Sequence, residues 1–291
     1  MDEPGGAGLT GLDELLGRVR EALGGIPGVV ALSLGGSRAR GTASADSDID
    51  IGLYYDPDRR PDFDQLYGAI ARLDERGAPD GHGRYGEWGP WINGGVWLRT
   101  SGMRMDILLR DARRVEEVLR DCAQGIVKIY YQAGHPHGFS TAIYAGEVHH
   151  AIAFHDPDGA LAALRALTDP YPEPLAAAII RTFGWEVGFA LDTAVAAARR
   201  GDVAYVCGCV FRAIACLTQV LFAAERRYLT NEKGAVAIAG RFPSAPPEYA
   251  RRVTAAVTNL SGVADDLTTA LATLRGLRDE VLAGVEQREQ P

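Results

Sequence analysis

The chain has 291 residues, 47% of them hydrophobic, and its 38 acidic against 30 basic residues give a formal net charge of −8. This length accommodates a sizeable core and favours two domains. An acidic chain without a run of basic residues does not suit the phosphate backbone of long nucleic acid, so we expect no such partner; a cationic ligand suits it better.

The cysteines and the N-terminal segment indicate the cellular compartment. The four cysteines form no CxxC pair and follow no regular disulfide spacing, which is typical of thiols in a reducing compartment. The N-terminal segment is acidic and glycine-rich rather than basic and then apolar, and no apolar run is expected to approach the length of a membrane span. We therefore expect a cytoplasmic protein with no membrane partner.

The N-terminal half of the chain alternates predicted helices and strands. Apolar periodicity predicts helices over residues 9–23 and 63–76 and strands over residues 29–34, 48–55 and 103–109. The Gly- and Trp-rich stretch 85–98 is predicted to be extended with turns, and Ser101 and Gly102 to form a hairpin-like turn. This pattern is typical of a small mixed sheet with flanking helices.

The C-terminal half is predicted to be helical. Ala-, Leu- and Val-rich periodic runs over residues 175–200, 203–228 and 248–282 indicate a helical bundle. Turn signals between residues 135 and 174 predict a boundary there, which we place between a mixed domain, residues 1–135, and a helical domain, residues 136–291. The predicted fold class is α+β, a small mixed β-sheet core followed by an all-helical bundle.

A glycine–serine turn and two alternating aspartates stand out in the first domain. Gly36 follows the strand 29–34 and allows a sharp turn, and Ser37 is placed to cap the short helix that follows, where the helix start could hold a phosphate. Asp48 and Asp50 are two residues apart on a predicted strand, so both carboxylates face the same side.

A third aspartate, Asp106, lies on the predicted strand 103–109. Carboxylate oxygens suit Mg²⁺, which completes its shell with water and substrate phosphate. If the strand of Asp106 lies beside that of Asp50, three carboxylates surround two metal positions, one activating an acceptor oxygen and one holding a triphosphate. We therefore predict two Mg²⁺ ions held by Asp48, Asp50 and Asp106.

Other interpretations of these patterns were weighed. Alternating acids also occur in a solvated acidic turn or open an EF-hand, but Ile51 stands where the calcium loop requires glycine and Pro57 where it requires glutamate. The glycines fit neither a P-loop nor a Rossmann turn. The histidines between residues 135 and 155 accompany no HExxH and no cysteine pair, so no zinc site is predicted.

The ordered set Gly36-Ser37, Asp48-x-Asp50 and Asp106 resembles the nucleotidyltransferase superfamily, which includes DNA polymerase beta and the kanamycin, aminoglycoside and lincosamide nucleotidyltransferases. The string around Gly36 and Asp50 is similar to the antibiotic-modifying branch. The motifs span the first 110 residues, and the rest is similar only in architecture. The resemblance implies that residues 1–135 are catalytic, that residues 136–291 bind substrate, and that a nucleoside monophosphate passes from ATP or another NTP to a hydroxyl, releasing pyrophosphate.

The acidic charge and the resemblance together predict a small, hydroxylated, cationic acceptor such as an aminoglycoside or lincosamide, and hence a role in antibiotic resistance. Two alternatives stay open. One is nucleotidylation of a protein or tRNA partner by an antitoxin-like enzyme. The other is an NTP-binding sensor without turnover, although the loss of a carboxylate that usually marks such a sensor is not seen here.

Further residues are assigned candidate roles. Gly36, Ser37 and Arg38 are predicted to bind the nucleotide, as is Lys233, because related enzymes use a lysine of the helical domain on the triphosphate. Glu87 is the predicted general base and Glu186 the alternative. Arg40 and Arg110 are further candidates for binding phosphate. Three tryptophans either stack on a ring of a substrate or belong to the core: Trp88, Trp91 and Trp97.

Overall fold

The computed structural model describes residues 6–44 and 46–289, of which residues 6–10 and 289 are described by their backbone alone. The strands are β1 Val29–Leu34, β2 Ile49–Tyr55, β3 Gly81–Gly83, β4 Gly95–Thr100, β5 Met103–Asp111, β6 Ile129–Tyr130, β7 Phe139–Ser140 and β8 Ile152–His155. The helices are α1 Gly6–Leu23, α2 Gly36–Ala39, α3 Phe63–Ala71, α4 Ala112–Ala123, α5 Ala142–His150, α6 Ala160–Arg165, α7 Glu173–Arg199, α8 Val203–Ala224, α9 Ala235–Ala239, α10 Tyr249–Thr258 and α11 Ala264–Glu289.

The described chain divides into two compact units, each built from two segments. Unit 1 comprises residues 6–120 and 144–170, and unit 2 comprises residues 121–143 and 171–289. The sequence had placed one boundary at residue 135. The chain instead enters unit 2 after Arg120, returns to unit 1 at Tyr144 and leaves it again after Pro170.

Unit 1 contains a six-stranded mixed sheet of strand order β3-β4-β5-β2-β1-β8. Strands β2 and β5 are parallel, and the other neighbouring pairs are antiparallel. Strands β4 and β5 are joined at Ser101 and Gly102, whose positive φ angles of 52° and 75° suit a tight hairpin. The predicted α+β class, with a mixed sheet, is confirmed; β8, which pairs with β1 from a segment predicted as loop, was missed.

One face of this sheet is apolar and the other is polar. Ile49, Ile51 and Leu53 of β2 are buried together with every second residue of β5, and they form one core with apolar residues of α1 and α3. Because successive strand residues alternate between faces, Asp50 and Asp106 must lie on the opposite face. A slip of one residue in either strand would place an aspartate in this core.

Unit 2 is mainly helical, with a small β6–β7 hairpin. Helices α7 and α8 are long and apolar enough to cross a membrane by length and composition, so the expectation that no apolar run approaches a span is wrong. In their most apolar windows, 56% of α7 and 72% of α8 are buried inside the protein, as is usual for core helices of a bundle.

Two predicted helices differ in length from those observed. The run predicted as one helix over residues 248–282 is two, α10 and α11, separated around Ser261, whose hydroxyl accepts a hydrogen bond from Val263 N at 3.0 Å. A serine that bonds the backbone locally competes with helix continuation. Helix α3 ends at Ala71 rather than Arg76, because the chain then turns around the carboxylate of Asp74.

Asp74 fastens the turn after α3 to strand β4. Its buried carboxylate accepts hydrogen bonds from the backbone N–H groups of Arg76 at 2.8 Å, Ala78 at 3.3 Å and Arg99 at 2.8 Å. Burial raises the pKa of the Asp74 carboxyl, but these bonds and the Arg76 guanidinium outweigh burial and hold the pKa well below its ordinary value.

Replacing Asp74 with alanine is expected to lower the unfolding free energy by about 2–3 kcal/mol, because buried N–H groups lose a charged acceptor. The pKa of the Asp74 carboxyl is depressed in the folded protein relative to its ordinary value of about 3.9 in the unfolded chain. Asp74 therefore stabilises the fold fully above a pH of about 3.9, and this stabilisation is lost as the pH falls through the depressed pKa. The difference between wild type and variant in urea unfolding should therefore shrink in strong acid.

Asp80→Ala is the matched control. Asp80 pairs with Arg76 and Arg99 at the surface, where an ion pair contributes about 0–1 kcal/mol. Equal losses of unfolding free energy in the two variants at neutral pH would contradict the role given to Asp74.

Candidate active site on the polar face of the sheet

Three carboxylates are brought together by the pairing of β2 with β5. Asp50 and Asp106 are direct partners in the parallel register, so their side chains extend from neighbouring strands toward the same face. Asp48 comes two residues before Asp50, immediately before β2 begins. All three residues are partly exposed. The sequence placed Asp48 beside Asp50; the structure adds Asp106 at the adjacent position.

The glycine turn packs directly against Asp50. Gly35 N donates to the Asp50 carbonyl at 2.8 Å, which continues the strand pairing into the turn. Gly36 has a φ of +61°, and a Cβ atom at this position would overlap Asp50 Oδ2. Glycine is required here both by the left-handed backbone and by the approach of the turn to the carboxylate. The turn and the aspartates therefore form one structural unit.

Ser37 and Arg38 differ in role from the sequence prediction. The residue that caps α2 is Gly35, without a side-chain cap bond, and Ser37 lies inside the helix, so the capping role predicted for Ser37 is wrong. The guanidinium of Arg38 donates to the carbonyls of Ser47 at 2.7 Å and Asp48 at 3.2 Å. Arg38 thus holds the aspartate loop in place, whereas it was predicted to bind phosphate directly.

Arg104 is a member of the site that sequence reasoning missed. Its Nε lies 2.9 Å from Asp48 Oδ1 in a solvent-exposed ion pair. Arg104 precedes Asp106 by two residues on β5, so it shares the face of the three aspartates. That spacing was the available signal. The pair places a positive charge at the edge of the carboxylate row, the name used below for Asp48, Asp50 and Asp106 together.

A buried ion pair lies on the same polar face near the C-terminal end of β5. Arg110 is only 4% exposed, and its Nη2 donates to both carboxylate oxygens of Glu147 on α5, at 2.9 and 3.1 Å. Burial lowers the pKa of Arg110, but Glu147 outweighs burial and the pKa is raised, so the Arg110 guanidinium stays charged. Arg110 is committed to Glu147, which argues against the role on phosphate considered for it.

A pair of tryptophans adjoins the carboxylates. Trp97 on β4 is the direct register partner of Asp106, so it shares the aspartate face, and it is 45% exposed. Trp88 stacks on it with ring centroids 4.7 Å apart and an interplanar angle of 19°. Trp88 fits over Gly83 and Gly95, where any Cβ atom would meet its ring. Trp91, by contrast, is 5% exposed and belongs to the interior.

The remaining predicted residues are Glu87, Lys233 and Glu186. The exposed carboxylate of Glu87 accepts a hydrogen bond from Arg84 N at 2.7 Å and so closes the turn that precedes Trp88. Lys233 and Glu186 belong to unit 2. Lys233 is exposed, and its backbone N donates to Asn231 Oδ1 at 2.8 Å. Glu186 is buried and forms an ion pair with Arg212.

The donor set of the carboxylate row fits a magnesium ion. Asp48, Asp50 and Asp106 offer hard oxygen ligands on one partly exposed face, and Mg²⁺ uses one or two carboxylates and fills its shell with water and phosphate oxygens. The Asp50 carboxylate packs directly against the backbone of the glycine turn, at the place that a Cβ atom of residue 36 would take. Arg104 contacts Asp48 through Oδ1, so Asp48 would bind an ion through Oδ2 while this pair is in place.

The chain is similar to two protein families and to a solved structure. Residues 12–80 match the family described as "Nucleotidyltransferase domain", and residues 143–233 match that described as "Domain of unknown function (DUF4037)". No curated protein matches the chain. Among solved structures it is similar to a nucleotidyltransferase-like protein from Exiguobacterium sibiricum 255-15, with 10% identity, a TM-score of 0.45, and coverage of 95% of this chain and 77% of that chain. The first family match contains Gly36, Asp48 and Asp50, and it supports nucleotide transfer as the chemistry of unit 1.

Gly36→Ala is expected to destabilise the protein more than Gly41→Ala. Both glycines have positive φ, +61° and +68°, but an added Cβ would overlap Asp50 only at position 36, whereas at position 41 it would meet no described atom within 4 Å. The backbone penalty alone is about 1–2 kcal/mol. Urea unfolding should show this penalty for Gly41→Ala and at least twice as much for Gly36→Ala. Equal losses would refute the close approach to Asp50.

Proposed function

We propose that the protein is a Mg²⁺-dependent nucleotidyltransferase that moves a nucleoside monophosphate, AMP from ATP, to a hydroxyl of a small molecule and releases pyrophosphate. The observation that carries this proposal is the register pairing of Asp50 with Asp106, which sets two carboxylates side by side with Asp48 next to them. The nucleotidyltransferase match over residues 12–80 supports it independently of the geometry.

Each part of the site has a role in this reaction. Asp48, Asp50 and Asp106 hold Mg²⁺, two ions in our proposal, which when bound offset the negative charge of the triphosphate during in-line displacement. The turn at Gly36 and Ser37 offers a backbone surface beside Asp50 for phosphate. Arg38 keeps the loop of Asp48 in position through two carbonyls. Pre-positioned groups of this kind reduce the reorganisation that the reaction requires.

The tryptophan pair indicates the kind of molecule that binds next to the carboxylates. Trp97 exposes much of its ring beside Asp106, and Trp88 supports it from behind by stacking. Such a surface binds a flat or apolar ring, whether of the nucleobase or of the acceptor. Together with the net charge of −8, it supports a cationic, ring-bearing acceptor such as an aminoglycoside or a lincosamide. Glu87, directly before Trp88, remains the predicted general base.

Asp48→Asn, Asp50→Asn and Asp106→Asn are each expected to reduce pyrophosphate release from ATP and Mg²⁺ on the order of 10²- to 10³-fold, the loss typical of removing one group that stabilises transition-state charge. The amide keeps the shape of the side chain and removes its charge. The assay is run with a panel of aminoglycosides, lincosamides, tRNA and cell lysate, and the modified product is identified by mass spectrometry.

Asp64→Asn is the control, because Asp64 is an exposed residue of α3 that pairs with Arg84 at the surface. Wild-type rates in an Asp50→Asn protein would contradict the proposal. Label on a protein or tRNA would reassign the acceptor class, and tight NTP binding without pyrophosphate release under any condition would overturn catalysis.

Trp97→Ala is expected to raise the KM for the ring-bearing substrate by about 5- to 150-fold, since stacking on one aromatic side chain contributes about 1–3 kcal/mol. Trp97→Phe keeps an aromatic face on the same backbone and should recover most of the affinity. Steady-state kinetics with each substrate varied in turn show whether Trp97 contacts the nucleotide or the acceptor. Unchanged KM values for both substrates in Trp97→Ala would rule out a stacking role.

A further inference from the structure

Unit 2 contains a buried group of metal-ligand side chains that is separate from the carboxylate row. His137, Glu186 and Cys216 are each buried, and one ligand atom from each lies within 4.8 Å of the other two. Cys216 Sγ is 3.3 Å from His137 Nε2. A tetrahedral zinc ion with its usual bond lengths to sulfur and nitrogen places these two ligand atoms about 3.6 Å apart. The sulfur and the nitrogen are therefore already close to the spacing of zinc ligands.

These ligands come from three different elements of unit 2. His137 lies in the loop of the β6–β7 hairpin, Glu186 on α7 and Cys216 on α8. The ring of His137 is oriented by Phe183, one turn before Glu186 on α7, with ring centroids 5.8 Å apart. A shared ion at this point would join the hairpin to α7 and α8, which pack against each other in the bundle.

A fourth side chain lies next to the group. Glu232 accepts a hydrogen bond from His137 N at 3.1 Å through Oε1, and its Oε2 is buried without a hydrogen bond in the described chain. Glu186 Oε1 is likewise buried without a hydrogen bond there, although it is in ion-pair contact with Arg212. Arg212 already offsets the charge of Glu186 Oε1. Glu232 Oε2 lies 3.8 Å from His135 Nδ1 without a hydrogen bond, and a buried carboxylate oxygen of this kind is costly unless a further partner binds it.

The surroundings leave a place for a further ligand. A cavity of about 50 Å³, with His137, Thr218, Gln219 and Glu232 in its wall, adjoins the group. This volume holds about one water molecule. A zinc ion with three protein ligands completes its tetrahedron with water or with a fourth side chain, and either is within the reach of this cavity.

The combination of donors selects the metal. One sulfur, one imidazole nitrogen and one carboxylate oxygen suit zinc, while magnesium and calcium prefer oxygen alone. The ion, the Cys216 thiolate and the Glu186 carboxylate are together neutral, which suits a buried place, and binding releases the proton of the Cys216 thiol to solvent. The half-exposed Arg212 contacts Glu186 through Oε1, so an ion would bind Glu186 through Oε2, or Arg212 would move into solvent.

We propose that His137, Glu186 and Cys216 bind one zinc ion, with Glu232 or water as the fourth ligand, and that this ion fastens the β6–β7 hairpin to α7 and α8. The proposal is independent of nucleotide transfer by unit 1. It replaces the role of general base considered for Glu186, because a zinc ligand holds no proton to exchange with an acceptor.

The test loads the full-length protein with ZnSO₄, removes excess metal and measures bound zinc by mass spectrometry of the element. Wild type is expected to hold about one zinc per chain, and Cys216→Ser to bind it at least about 100-fold more weakly, since the loss of a second-shell partner already costs 10- to 100-fold. Cys122→Ser is the matched control, because Cys122 is also a buried free thiol of unit 2 outside this group. Asp106→Asn should retain zinc, which separates this site from the carboxylate row.

Cobalt substitution keeps the proposal testable if Cys216→Ser fails to fold. Wild type and Cys122→Ser loaded with Co²⁺ should show the charge-transfer absorption of a cobalt thiolate, and a strong chelator should lower the melting temperature of both. A zinc content below about one tenth per chain in loaded wild type would overturn the proposal. So would a cobalt complex without a thiolate band, or equal zinc binding by Cys216→Ser.

Discussion

The parallel register of β2 with β5 is the constraint on which the candidate active site depends. The apolar residues of both strands are buried in one core with α1 and α3, and their burial leaves a single register in which this face stays apolar. The same register brings Asp50 opposite Asp106 on the other face. Hydrophobic packing on one side of the sheet thereby positions two like charges on the other, where they remain partly exposed.

The backbone around these charges is shaped to keep them there. The turn at Gly36 lies so close to Asp50 that only hydrogen fits in place of a side chain, and Arg38 secures the loop before β2 through its carbonyls. Arg104 pairs with Asp48 across the face. A carboxylate site held by backbone contacts and a surface ion pair is suited to bind a metal cation, which can in turn bind phosphate oxygens.

Much of the fold was predictable because its signals are local. Alternation in β2 and β5, the turn at Ser101 and Gly102, and the apolar runs of α7 and α8 are all visible within short windows of sequence. Strand β8, the break at Ser261 and the double crossing of the chain between the two units were not predicted. Strand β8 and the double crossing depend on pairing or packing with distant residues, which a single sequence does not display. The break at Ser261 is local and coincides with a hydrogen bond from Val263 N to the serine hydroxyl.

The sequence by itself determined that Asp48 and Asp50 share one face and that Gly36 must turn the chain before them, because strand periodicity and glycine stereochemistry are properties of adjacent residues. Only the tertiary structure decided that Arg38 holds the aspartate loop through two carbonyls, that Trp97 stands beside Asp106 while Trp91 is buried, and that Arg110 pairs with Glu147. It also brought His137 to Cys216, 79 positions away. The physical reason is that contacts between elements arise when their apolar faces pack, and the polar side chains on those elements then take positions that no local pattern specifies.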